Sequence, residues 1–353
     1  MLPPELLFLF DLMAMFATYL ILNLSLGLEF GFGGIPNFGK VLFVAGGAYL
    51  VGGFTGRFAS ALVGISGLDF MKNNSLVIFM INERLSSDLL LSLTIFVPSI
   101  LLALVVGAVL GYIASLPAIR LREDYLSMTL LSAGEVVRVF GHNYEGLVGG
   151  SLGVQVPDPL MWAGEYRFAL ASLIMLGFAM LVWAYVDRVG KSPLGRTLRA
   201  IRDNETAAEA LGKNVTQFRM RTLVVSSAIA ALAGALYAFY TCGVVATTYS
   251  RMWWTFWPWL MVMLGGASNS TGIFVGSLVS ATVIKVINLY KSHLAPLLPF
   301  DVIWAESMLL GMTMIVMLIR RPEGIFPEKP QVTSGGSVGA TTRNETTPSW
   351  RVV

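Results

Sequence analysis

The chain has 353 residues, of which 55% are hydrophobic and only 13% charged, with a mean hydropathy of +0.71. Soluble domains carry about 25% charged residues, so a water-facing surface cannot be assembled from this composition. The single Cys242 excludes an internal disulfide framework and a multi-cysteine metal site. The net charge of +3 comes with no interleaved aromatic–basic patch, so nucleic acid is not an expected partner and the basic residues read as membrane topology.

In chain order, hydrophobic segments fall at roughly 5–27, 40–56, 91–114, 125–142, 166–186, 222–245, 256–267, 271–290 and 301–319. Most approach the roughly 20 residues that a bilayer span requires. They predict an all-α polytopic integral membrane protein of about nine segments, the shorter 125–142 and 256–267 being broken or re-entrant. The first segment carries Asp11 and no preceding Lys or Arg, and is expected to be an uncleaved span rather than a secretory signal. An outside amino terminus puts Lys40, Arg120, Arg122, Arg188, Lys191, Arg196, Arg199, Arg202, Lys213, Arg219, Arg221, Arg320, Arg321, Lys329, Arg343 and Arg351 inside. Only Arg57, Lys72, Arg84, Arg251 and Lys291 then lie outside. Loop Lys/Arg bias sets orientation, so the carboxy terminus is expected to be cytoplasmic. On the outside, 57–90 carries an apolar patch at Leu76–Ile81 expected on the membrane surface, and 143–165 is a Gly/Pro-rich loop. Trp253, Trp254, Trp257 and Trp259 read as an interfacial belt. Residues 1–327 form the transmembrane domain, and the Ser/Thr/Gly-rich 328–353 is expected to be a disordered tail.

The basic inner loop at 187–221 has internal structure. Asp203 or Asn204 can cap a short helix at 205–211 by accepting from free first-turn N–H groups, and Gly212 can close it in the left-handed conformation. Ala207, Ala208 and Ala210 give that helix a narrow face suited to another protein's groove; a solvated basic loop at the head groups is the plain alternative. Two Gly-rich stretches, Gly33–Gly39 with Asn37 and Gly265–Gly272 with Asn269, interrupt apolar sequence on the same side. Matched interruptions can mark a transporter's binding site, although unrelated turns would look the same.

Several stretches occur together in order: SPLGRTLRAIRDNETAAEALG at Ser192–Gly212, SSAIAALAGALY at Ser226–Tyr237, LGGASNSTGIFVG at Leu264–Gly276, PAIRLREDYLSMT at Pro117–Thr129, and Arg321-Pro-Glu-Gly324. With these, the chain resembles the M-type permease subunits of branched-chain amino-acid ABC importers, a family that includes urea and short-chain amide permeases. The resemblance implies that Glu205, Ala207, Ala208 and Gly212 belong to a coupling loop that contacts a cytoplasmic ATPase. It implies an H-type permease partner, two ATPase subunits, an extracytoplasmic binding protein and a place in the cytoplasmic membrane. It also implies a cargo of branched-chain or other hydrophobic amino acids, with urea and short amides as the alternative. No cofactor is expected on this chain. It has no G-x-x-x-x-G-K-[ST] loop, so ATP and Mg would be held by partners. Glu123 before Asp124-Tyr125 and the spelling of Gly33–Gly39 depart from the family pattern.

Charges inside spans are candidate functional groups. Glu135 and Arg138, three apart on one helix face, form either a polar patch on the translocation path or a structural ion pair. Lys285 and Glu306 match in depth on antiparallel segments and are expected to pair. Asp11 is expected to snorkel or be hydrogen-bonded. Gly149-Gly-Ser151-Leu-Gly153, with His142 and His293, also spells the elbow of a serine hydrolase, which requires a strand–turn–helix context. A channel is the third class, but it leaves the capped loop unexplained.

Overall fold

A computed structural model of the chain describes residues 3–65, 68–121, 123–291, 302–321 and 323–328. The expected tail lies outside these residues apart from Glu328.

Helix α1 (Pro4–Leu26) starts on Pro4, whose missing N–H is no loss in a first turn, and runs into a π-helical turn at Gly27–Phe32. After the Gly-rich break come α2 (Lys40–Leu50), a second π turn (Val51–Thr55) and α3 (Gly56–Val63). Then follow α4 (Asn74–Leu85), the 32-residue α5 (Leu89–Arg120), α6 (Glu123–Asn143) and the single turn α7 (Glu145–Val148). Strand β1 (Val154–Gln155) pairs antiparallel with β2 (Gly243–Val244), tying the 143–165 connection to the end of α11 (Val215–Thr241). Between them lie α8 (Arg167–Lys191), α9 (Pro193–Asp203) and α10 (Glu205–Ala210). The chain continues through a π turn (Met252–Phe256) into α12 (Trp257–Gly265), then α13 (Ser270–Leu289) and α14 (Val302–Arg320).

Among the described residues, six helices are long and apolar enough to cross a membrane: Glu5–Phe32, Lys40–Val63, Leu89–Ala118, Met161–Lys191, Val215–Thr241 and Ser270–Leu289. Three of the nine expected segments, 125–142, 256–267 and 301–319, are not among these six. Helix α6 is long enough but carries Glu123, Asp124, Glu135, Arg138 and His142. The π turn and α12 together reach only about 21 Å at 1.5 Å per residue, short of the ~30 Å core. In α14 the apolar stretch is Ser307–Met317.

Helix α11 sits at the centre, packed on α5 and α2, while α1 packs on α8 and α13. Small residues set these contacts, as expected where lipid offers apolar side chains no better solvent than each other. A Cβ on Gly107 would lie 2.7 Å from the Ser227 carbonyl, and one on Gly111 2.9 Å from that of Leu223. Gly107 and Gly111 thus form a G-x-x-x-G ridge that brings α5 onto the backbone of α11.

Two surface expectations change. In α4, Val77, Ile78, Ile81 and Leu85 are buried while Leu76 and Phe79 are exposed, so this helix packs on the protein through one face. The tryptophans form no belt: Trp254, Trp257 and Trp259 are buried and Trp253 partly so. Trp259 stacks on Phe38 with ring centroids 4.4 Å apart and donates its indole N–H to the Asn37 carbonyl at 3.1 Å. The indole hydrogen bond that would have gone to a head group is satisfied by the broken backbone before α2 instead.

Gly111→Leu should lower stability by about 1–3 kcal/mol, the usual cost of overpacking, read as a drop in melting temperature of the detergent-purified protein. Gly177→Leu, at an α8 site with nothing within 4 Å of a new Cβ, should leave it unchanged.

Candidate functional site

The loop between α8 and α11 is a pair of helices whose boundaries follow from local sequence. The Ser192 side chain accepts from Gly195 N–H at 3.4 Å and Pro193 occupies the first turn of α9. Asn204, one of the two expected caps, accepts from Ala207 N–H at 3.0 Å and starts α10. Gly212 then adopts φ +76° while its N–H and that of Lys213 close on Glu209 and Ala208 carbonyls at 2.8 and 3.1 Å. The expected capped helix is present, spanning Glu205–Ala210.

Its faces divide differently from the expectation. Ala208 is buried against Ile201, Val215 and Phe218, so it fastens α10 to its own chain. Glu205 reaches Arg219 at 2.9 Å and does the same. The outward surface carries Ala207, Ala210 and Leu211, the last 79% exposed, together with the polar Thr206 and Glu209.

Arginines that the sequence assigned to topology make specific contacts. Arg202 donates from Nη1 to the Gly31 carbonyl at 2.6 Å and to Ser268 Oγ at 2.8 Å, and Ser268 Oγ itself donates to the Gly31 carbonyl at 3.0 Å. Its Nη2 meets Glu328 at 2.9 Å and its Nε meets Asp203 at 2.9 Å. Burial opposes its charge, but the Glu328 and Asp203 carboxylates outweigh this and hold its pKa above the ordinary value. Arg199, one turn earlier, grips the other Glu328 oxygen at 2.6 Å and lies over the Phe32 ring at 4.9 Å. The two Gly-rich interruptions therefore meet, and the guanidinium of Arg202 bridges them. A Cβ on Gly31 would overlap the Ala267 carbonyl, which shows how closely the breaks approach. The segment after Arg321 completes the joint: Ile325 and Phe326 donate backbone N–H groups to Leu264 and Gly265 at 2.9 and 3.0 Å.

Asn37 and Asn269, candidates for a substrate path, both serve helix starts. Asn37 is fully buried and accepts from Gly39 N–H at 2.8 Å; Asn269 accepts from Thr271 and Gly272 N–H at 3.1 and 3.4 Å. Glu135 and Arg138 do pair, with Arg138 Nε donating at 2.9 Å, and Arg251 joins them at 3.4 Å. Both side chains of the pair are about 30% exposed.

Lys285 bonds Asp11 on α1, and Asp11 also accepts from Tyr240 at 3.1 Å. The Glu306 side chain, its expected partner, lies outside the described residues. Depth matching could not choose between the two carboxylates, because it does not say which helices are neighbours. Ser151 lies on a turn that leads into the two-residue β1, with Gly149 at φ +71° and Gly150 at φ +59°. That is no strand–turn–helix elbow; His293 lies outside the described residues. Among the described residues no group of His, Cys, Asp and Glu could hold a metal.

The sequence reading missed a buried ion pair. Lys40, counted above as an inner-loop charge, is fully buried, with Nζ 2.8 Å from Glu29 Oε2 and 3.1 Å from Ser25 Oγ. Glu29 is equally buried and accepts from Ser226 of α11. Glu29 and Lys40 are the charges that flank the Gly-rich break on its two sides, and that flanking was the available signal.

A bundle of apolar helices with broken spans and a capped, outward-facing loop helix defines a multi-pass membrane protein of the permease type. The chain belongs to the family described as the permease component of the branched-chain amino acid transport system, whose model matches residues 8–318. It is 39% identical over 321 residues (90% of this chain and 93% of the relative) to a probable branched-chain amino acid transport permease protein LivM of Methanocaldococcus jannaschii. It is 24% identical over 351 residues (91% of this chain, 71% of the relative) to the high-affinity system's permease protein LivM of Salmonella typhimurium. No solved structure matches the chain.

Removing one member of the buried pair leaves an uncompensated charge. Glu29→Gln or Lys40→Met alone should therefore destabilise by about 3–5 kcal/mol, and the double variant by less than the sum. Thermal unfolding of the four proteins in one detergent checks this.

Proposed function

We propose that the chain is a membrane-spanning permease subunit of an ABC importer that translocates branched-chain or other hydrophobic amino acids across the cytoplasmic membrane. It works beside a homologous H-type permease, with ATP hydrolysed on two separate ATPase subunits and substrate delivered by an extracytoplasmic binding protein. The observation that carries this reading is the α10 corner: a capped helix whose inner face is fixed by Ala208 and Glu205 and whose outer face ends in exposed Leu211. Behind it, Arg202 joins the loop to the breaks in α1 and between α12 and α13. A push on α10 would reach two broken helices by direct contact, which is what coupling to an ATPase needs.

The path would run along α6. Its outward face carries Thr129, Ser132 and Val136, flanked by Glu135 and Arg138. A charged pair on a helix face beside the spans is not left against lipid, so water or a second permease would cover it. Urea or short amides remain the alternative cargo within the family.

In the four-subunit complex reconstituted with its binding protein, ATP-driven leucine uptake is the test. Uptake without the ATPase subunits would make the protein a pore, and ATP hydrolysis by this chain alone would defeat the reading. Leu211→Glu should leave the chain inserted and folded but cut ATP-driven uptake by more than about tenfold, the effect of losing one interface anchor. Arg202→Ala should keep the ATPase subunits bound, read by co-purification, while lowering uptake per ATP hydrolysed.

A further inference from the structure

At the end of the molecule opposite α9 and α10, a cavity of about 440 Å³ opens between α1, α11, α13 and the Ser250–Trp254 stretch. Its size falls within the range of small-molecule sites, roughly 300–1,000 Å³. One wall is charged: Asp11 and Lys285 form an ion pair there, and the Tyr240 hydroxyl donates to Asp11. Aromatic and apolar side chains line the rest, with Tyr237 set edge-on to Trp254 at 5.0 Å and Met15 and Ile284 alongside. The pair is reachable, since the Asp11 side chain is 47% exposed and that of Lys285 20%. Neither the Arg202 joint nor the α6 face uses these groups.

We propose that this cavity binds a free α-amino acid with an apolar side chain, its carboxylate on Lys285 and its ammonium on Asp11. Entry of such a zwitterion exchanges one ion pair for two and leaves no charge unpaired. A ligand with only one of the two charges would separate Asp11 from Lys285 and satisfy just one of them, at the cost of an uncompensated charge in a low-dielectric wall. The cavity therefore discriminates by charge pattern first. The aromatic and apolar lining takes the side chain. This deepens the permease reading, on which it rests, by giving the substrate a docking position on this chain at the end far from the coupling loop.

The experiment uses the full chain in the four-subunit complex, in nanodiscs of phosphatidylglycerol, with tritiated L-leucine as probe and the binding protein left out. Saturable binding is expected, competed by isoleucine and valine but not by 4-methyl-2-oxopentanoate or isoamylamine, which each lack one charge. Asp11→Asn and Lys285→Met should each weaken binding by at least about tenfold, the scale of one charge-assisted contact. Thr247→Trp, at an exposed wall position that leaves the ion pair intact, should weaken it as well. Absence of saturable binding to the wild-type complex overturns the proposal, as does leucine affinity unchanged in all three variants. So does competition by either singly charged analogue as strong as by valine, or displacement of leucine by phosphatidylethanolamine with no competition by valine. ATP-driven leucine uptake by the same wild-type complex, now with its binding protein, separates the two readings. Uptake that persists at normal KM in the variants removes the cavity and keeps the permease, whereas a wild-type complex that never transports leucine removes the permease reading itself.

Discussion

A carboxylate and an ammonium 2.8 Å apart with no exposed surface, Glu29 and Lys40, hold together the part of the molecule on which the rest depends. Burying two charges is unfavourable unless geometry and further hydrogen bonds compensate, and here Ser25 and Ser226 supply those bonds. The pair bridges the gap where α1 ends in a π turn and α2 has not begun, so it fixes the separation of two helix ends that the backbone leaves unjoined. Ser226 lies on α11, so the same carboxylate anchors the break to the central helix.

Two residues beyond Glu29, the break leaves the Gly31 carbonyl without a helical partner. Backbone acceptors at membrane depth must find donors inside the protein, and this one receives Arg202 and Ser268. The loop at 192–214 is thus joined to the bundle by satisfaction of an orphaned carbonyl, with Glu328 completing the charge balance. The ion pair on one side of the break and the Arg202 hydrogen bonds on the other tie the loop to the end of α1 and to the stretch before α13.

What was legible in the sequence was local. Apolar runs gave the long spans, and Asn204 and Gly212 gave the ends of α10, because a span or a cap is decided within a few residues. The resemblance placed the chain in its family. What escaped depended on contacts across long stretches of chain. Lys285 was recognised as a charge inside a span, yet its partner Asp11 lies 274 residues away on a helix whose adjacency no periodicity reveals. Lys40 sat among loop charges by position, and only the fold shows that the loop turns inward. The tryptophans were assigned by composition to an interface, but Trp259 answers a broken backbone near Asn37 that sequence alone did not pair with it.

The exposed surfaces of α5 and α6 carry the remaining argument. Along α5 the outward residues, among them Leu90, Leu93, Val97, Leu101, Val105 and Val109, are apolar apart from Tyr112 and from Thr94, whose hydroxyl is returned to the Leu90 carbonyl at 2.8 Å, and lipid satisfies them. Along α6 the outward face mixes Met128, Val136 and Phe140 with Thr129, Ser132, Glu135 and Arg138. Hydrocarbon would tolerate the first set and reject the second. The two helices are neighbours in sequence and α6 packs mainly on α2, so one bundle presents, across one boundary, two surfaces with opposite solvent requirements. In the proposed assembly that boundary is where lipid gives way to a second permease subunit. Within this cluster Arg138 and Arg251 meet one carboxylate, Glu135, so the cluster itself holds one positive charge in excess.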